Sequence, residues 1–235
     1  MMSDSIKLLA SSSSNNIKVK QRIEFIVAIG ICVLTLMLFL MLSQNVLFNK
    51  ESSFDTKAFL WLNQFSPESH AQLARSISFF GTGNFLIPAY LLIVVYLIKT
   101  KNVKNAIQII AFSGFSLILG WVLKELFKRP RPLLVHLDAA GGYSFPSGHT
   151  LGGFTFCGIM ILLIYRSSLT NTLKMILCFT FLLMACLIGI SRIYLHVHYA
   201  SDTLASFYIA VCLLSLFFLA VQWPIDKTDD PLVRN

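Results

Sequence analysis

Residues 25–48 read FIVAIGICVLTLMLFLMLSQNVLF, a run with no Asp, Glu, Lys or Arg. As an α-helix, at about 1.5 Å per residue, such a run reaches about 36 Å, against about 30 Å for the hydrocarbon core of a bilayer. A helix is also the form in which a single segment satisfies its own backbone N–H and C=O groups in lipid. The stretch Glu24 to Phe48 is too long for a signal-peptide core and has no small-residue cleavage site. It reads as a retained first membrane span.

Working outward, residues 1–23 are polar, with a serine run from Ser11 to Ser14 followed by Lys18, Lys20 and Arg22. A disordered cytoplasmic tail is expected there. Downstream lie five more apolar stretches, near Phe85–Ile98, Ala106–Leu123, Gly148–Tyr165, Thr172–Ile190 and Thr203–Trp223. The fold class is therefore an all-α integral membrane protein, a six-helix bundle. Its membrane domain occupies 24–223, and a short C-terminal tail fills 224–235. No internal repeat is visible, and no charge sits mid-span as a proton relay would require. Between the first two spans, residues 49–83 place Phe59 three before Leu62, and Leu73, Ile77 and Phe80 at i, i+4, i+7. That is helical amphipathicity without spanning length. One or two interfacial helices are expected, either as a covering flap or as a route for substrate.

Composition agrees. Of 235 residues, 56% are hydrophobic and 13% charged, with 20 Phe. An ordinary soluble domain is about 25% charged. Disorder, collagen-like repeats and a disulfide scaffold are excluded by the same figures. The net charge of +8 and pI of about 9.4 would suggest nucleic acid on a soluble protein. Here they fit lysines that hold helix ends, with an anionic ligand and no nucleic acid. The five cysteines all lie in apolar stretches and read as buried small hydrophobes. With the N-terminus inside, eleven Lys and Arg fall on the inner segments and eight on the outer. Three of the outer eight belong to the chemistry below, so the positive-inside rule favours N-in and C-in.

Three polar stretches stand out. Lys124 to Pro132 follows the third span, Pro146-Ser147-Gly148-His149 opens the fourth, and Ser191-Arg192, His198 and Asp202 lie between the fifth and sixth. Two crossings return a chain to the same side, so all three face one aqueous surface, extracytoplasmic on the N-in reading. Lys124, Arg131 and Arg192 bring three cations. Ser147, Gly148 and His149 open a helix, where unpaired N–H groups and the dipole favour an anion. Gly148 admits close backbone approach. Such a set suits a tetrahedral oxyanion. His198 and Asp202, four apart, would share a helix face, with the carboxylate fixing the imidazole tautomer. His149 supplies a second imidazole, placed to protonate a leaving oxygen.

These stretches resemble the signature of the type 2 phosphatidic acid phosphatase family, K-x6-R-P, then P-S-G-H, then S-R-x5-H-x3-D. Lys124 to Arg131-Pro132, Pro146 to His149, and Ser191-Arg192 with His198 and Asp202 fit it at every patterned position. The resemblance implies a metal-independent phosphatase without cofactor. It assigns the nucleophile to His198, acid/base work to His149 and orientation to Asp202. Phosphate binding falls to Lys124, Arg131, Ser147, Gly148 and Arg192. It also implies an inner-membrane enzyme of bacterial type acting on a lipid phosphate or diphosphate, of the phosphatidic acid, phosphatidylglycerophosphate, undecaprenyl diphosphate or lipid A class. A lipid-to-lipid phosphotransferase would present the same site, and the resemblance also admits a vanadate haloperoxidase, which six spans disfavour. From another class, a transporter would set its polar groups near mid-bilayer rather than at span ends, and a non-catalytic membrane scaffold remains a further alternative. A two-histidine, one-carboxylate metal set from His149, His198 and Asp202 is disfavoured by the three nearby cations. Lys128 and Arg129 read as helix-end anchors, Tyr194, Tyr199, Trp121 and Trp223 as interfacial aromatics, and His70 and His136 as solvated. Oligomeric state leaves no mark in the sequence.

Overall fold

The structure, a computed structural model, describes residues 2–48, 52–65 and 67–222. Among them are eight helices and no strand: α1 (Met2–Phe48), α2 (Ser53–Asn63), α3 (Pro67–Phe79), α4 (Gly83–Lys99), α5 (Val103–Phe127), α6 (Gly148–Arg166), α7 (Asn171–Tyr194) and α8 (Ala200–Gln222). Six segments are long and apolar enough to cross a membrane: Gln21–Phe48, Ser69–Lys99, Val103–Phe127, Gly148–Arg166, Asn171–Tyr194 and Ala200–Ala220. The protein is an all-helical integral membrane protein, as the sequence predicts.

The bundle is built around α6. Thr150 to Cys157 are buried without a break, while the outer helices turn most of their length outward. Its sequence GHTLGGFTFCG explains this, because small residues let neighbours approach on several sides. A Cβ on Gly152 would come 2.8 Å from Leu86 of α4, and one on Gly153 would come 3.0 Å from Ile188 of α7. Phe39 and Val46 of α1, Leu86, Leu151, Phe154 and Phe156, and Ala205, Ile209 and Leu213 of α8 form the main core. Two buried hydroxyls, Ser116 and Thr155, bond each other across α5 and α6 at 3.1 Å, sparing either an unpaired polar atom in an apolar interior.

The chain differs from expectation at its start. Residues expected as a disordered tail are helical from Met2 onward. No Gly or Pro precedes Gly30, so a helix nucleated by the span can extend backward at little cost per residue. Helix α4 begins at Gly83, ahead of the expected Phe85, and runs through Pro88, while the second span-length apolar segment starts earlier still, at Ser69 within α3. The C-terminal tail 224–235 and Trp223 lie outside the described residues.

The helices expected between the first two spans form, as α2 and α3. Phe59 and Leu62 of α2 pack on Ile193, Tyr199 and Ala200, at the end of the bundle where α7 gives way to α8. On α3 the packed face is not the Leu73, Ile77, Phe80 row. Ala71 and Ala74 are buried against Leu195 and Val197, while Leu73 is exposed. Small side chains let α3 sit close on the turn that follows α7.

Candidate active site

Each signature residue reaches the site because a helix stops where it does. Arg129-Pro130-Arg131-Pro132 cannot continue α5, since a residue before proline is steered out of the α region. Lys128 therefore caps the helix in the left-handed region, φ 42, its N–H on the Lys124 carbonyl. This leaves Lys124 in the last turn, with Nζ donating to the Tyr143 carbonyl at 2.6 Å. Arg131, just beyond, donates to the carbonyls of Val197 (2.6 Å), Gly141 (2.7 Å) and Gly142 (3.1 Å). Neutral carbonyls thus aim both cations without cancelling their charge.

Ser147 is the N-cap of α6. Its hydroxyl oxygen accepts from Thr150 at 2.9 Å and is fully buried. Gly148 is exposed and His149 half-buried, so the first turn of α6 opens outward at the glycine. Gly81 fits under this turn because it lacks a Cβ, which would come 2.7 Å from the His149 carbonyl oxygen. His149 lies within electrostatic range of Arg192, His198, Asp138 and Arg131.

His198 and Asp202 do not share a helix, contrary to the sequence expectation. Helix α7 ends at Tyr194, a tight turn with His196 at φ 58 follows, and α8 starts at Ala200. The pair still meets, with Nδ1 of His198 3.4 Å from Oδ2 of Asp202, because the carboxylate occupies the first turn of α8 and folds back. There the Tyr199 N–H donates to the same oxygen at 3.0 Å, and the helix dipole favours negative charge. On the other side of the ring, Arg131 NH1 stands 3.3 Å from Nε2. A carboxylate accepts and a guanidinium only donates, so Nδ1 carries the proton and Nε2 the lone pair. Burial pushes the imidazole down to about 4, with Arg131 and Lys124 adding to the effect and Asp202 opposing it. The ring is neutral near pH 7, the state a nucleophile needs. Burial and the neighbouring Arg192 also lower the Arg131 guanidinium, against the pull of Asp202.

Arg192 is buried at the end of α7. Its NH1 donates to Ser78 of α3 at 2.5 Å and pairs with Asp138 at 2.8 Å. Its Nε is buried with no hydrogen-bond partner among the described residues. An orphaned guanidinium N–H of this kind is a donor in want of an acceptor. The structure therefore gathers all eight predicted site residues at one end of the bundle, with Lys124, Arg131 and Arg192 in electrostatic range of one another.

Several residues here escape sequence reading. Arg129 is no mere anchor. It is 3% exposed and donates to Asp202 at 2.6 Å and to Asp55 of α2 at 2.9 Å. Tyr199 is buried rather than interfacial, its ring 3.9 Å from the Arg129 guanidinium carbon. Asp138, the one acid between Pro132 and Phe145, could have been suspected beside so many cations. Asp55 could not, since the Ser52–Asp55 capping box already gives it a local explanation.

Known proteins place this arrangement. Residues 105–226, just over half the chain, match the family described as the PAP2 superfamily. Phosphatidylglycerophosphatase B of Bacillus subtilis (strain 168) is 29% identical over 161 residues, 68% of this chain and 73% of that protein. Undecaprenyl-diphosphatase BcrC of the same organism is 27% identical over 157 residues, 63% of this chain and 76% of that protein. Among solved structures, a transmembrane PAP2-type phosphatidylglycerolphosphate phosphatase from Bacillus subtilis superposes with a TM-score of 0.76 at 24% identity, covering 83% of this chain and 98% of that one. Aquifex aeolicus LpxE gives 0.57 at 23% identity, covering 72% and 98%. The fold and the relatives define a membrane-embedded phosphatase, a hydrolase of phosphate esters. The chain belongs to the PAP2 superfamily.

Proposed function

We propose that this phosphatase hydrolyses a lipid phosphate or diphosphate through a phosphohistidine on His198. The observation that carries the reading is the Nε2 lone pair of His198, fixed by Asp202 on one side and facing Arg131 on the other. Nε2 attacks phosphorus, and the bond from phosphorus to the lipid oxygen breaks as His149 gives that oxygen a proton. His149 then takes a proton from water. The water oxygen attacks phosphorus, the P–N bond breaks, and its electron pair returns to Nε2. Lys124, Arg131 and Arg192, with the open turn at Ser147 and Gly148, hold the equatorial oxygens, and the orphaned Arg192 Nε–H finds its acceptor there.

The substrate class is supported by the relatives, which are named for phosphatidylglycerophosphate and undecaprenyl diphosphate. The proposed orientation is N-in and C-in, with the site on the extracytoplasmic face of the cell membrane. Free phosphate released from phosphatidic acid, phosphatidylglycerophosphate, undecaprenyl diphosphate and a lipid A by purified protein tests the reading. Release from at least one, lost in His198→Ala, is expected. No release from any, or full activity in His198→Ala, overturns it.

A further inference from the structure

Asp55 belongs to α2, outside the three signature stretches, yet its carboxylate is 1% exposed. Capping boxes sit at helix starts and need no such burial. Here Asp55 does more than cap. Its Oδ1 accepts the Ser201 N–H at 2.8 Å, and its Oδ2 accepts the Ser201 hydroxyl at 2.9 Å and Arg129 NH2 at 2.9 Å. Arg129 NH1 in turn donates to Ser201 Oγ at 2.7 Å and to Asp202 Oδ1 at 2.6 Å. One guanidinium fork therefore bridges two buried carboxylates on two helices. Buried charges persist only when paired and fully hydrogen-bonded, and removing one partner strands the other.

The bridge has a consequence for chemistry. Asp202 has two oxygens. Arg129 takes Oδ1, which leaves Oδ2 to the Tyr199 N–H and to Nδ1 of His198. Asp55 holds Ser201, the residue beside Asp202 in the first turn of α8. The carboxylate can neither turn about its own axis nor move with a loosened helix end. We infer that Arg129 and Asp55 are positioning residues for phosphoryl transfer, fixing Asp202 and through it the ring of His198 so that Nε2 stays aimed at the phosphate cradle. This rests on the reading of His198 as nucleophile. It gives α2 a role beyond covering the bundle, since the helix supplies the counter-charge that locks the catalytic carboxylate.

Lysine cannot replace the fork, because one ammonium presents a point charge where two directed N–H groups are needed. The test uses the full-length purified protein in mixed micelles, with phosphatidylglycerophosphate as probe, or whichever of the other three lipids named above the wild type hydrolyses, and thermal unfolding measured in parallel. Arg129→Lys should lower kcat by about 10²-fold while KM stays within about twofold, because misplacing a reacting group by about 1 Å costs rate rather than binding. Asp55→Asn, the same size but uncharged, carries the same expectation should the lysine variant fail to fold. A purely structural staple would lower the unfolding temperature and leave kcat of the folded protein unchanged, and that result overturns the inference. A wild type that releases no phosphate from any of the four lipids named above, or a His198→Ala that still does, overturns the reading of function and the inference together. Unchanged kcat in a folded Arg129→Lys or Asp55→Asn, beside an inactive His198→Ala, overturns the inference alone.

Discussion

Burial pushes the His198 imidazole from the usual 6.5 down to about 4, and with His198 as the proposed nucleophile this sets the acid limit expected of catalysis. As pH falls through about 4, Nε2 gains a proton and loses its lone pair. The acid limb of kcat/KM in the free enzyme should lie near pH 4, and a limb at pH 6 to 7 would contradict the buried, cation-facing ring. The same shift has a sign for stability. The unfolded chain binds a proton at His198 below about 6.5 that the folded chain refuses until about 4, so stability falls as pH drops through that window. Asp202→Asn would leave Nδ1 without its carboxylate and should cost on the order of 10²–10⁴ in kcat. Arg192→Lys keeps the charge and loses the directed Nε–H. Its expected signature is a KM raised by about tenfold, checked by phosphate-release kinetics.

Among the elements, α6 carries the tightest constraint, because its first turn is both helix start and proposed anion site. Gly81→Ala would drive a methyl into the His149 carbonyl, displace that turn and destabilise the protein by about 1–3 kcal/mol. Thermal unfolding and phosphate release should both register the change. Loss of activity without loss of stability would mean that the turn moves at no cost to folding and carries the site with it. The helices were legible because long uncharged runs leave one choice in lipid, and the gathering of the eight candidate residues at one end of the bundle because they lie at helix ends separated by an even number of crossings. The rest was hidden for physical reasons. Residues 2–20 look like a polar tail because composition does not reveal that the helix nucleated at Gln21–Phe48 extends backward. The contact of His198 with Asp202 arises from a turn at His196 and a carboxylate at a helix start, which i, i+4 spacing on one helix mimics. Arg129 resembles its neighbour Lys128 in sequence, yet one is buried and the other exposed, because only a folded partner on α2 distinguishes them.

Over the whole molecule, in the proposed orientation, six crossings put the beginning of α1 and the end of α8 on one side and the site on the other. Leu133, 96% exposed, lies on the loop beside Arg131, while Lys101 lies in the turn between α4 and α5 at the opposite end. In a cysteine-free background, a membrane-impermeant maleimide on intact cells should label Leu133→Cys and spare Lys101→Cys. The reverse pattern would place the site inside. Phosphate release should also survive a chelator, since every step assigned here is carried by imidazoles and cations of the chain. The proposed covalent intermediate is the sharpest consequence of the proposed mechanism. Purified protein mixed with lipid substrate labelled at phosphorus and quenched within one turnover should carry acid-labile, base-stable label on His198. That label should be absent from His198→Ala and should accumulate where hydrolysis is slowed. Turnover of the substrate with no label on His198 at any quench time would mean that water attacks phosphorus directly and that His198 is not the nucleophile.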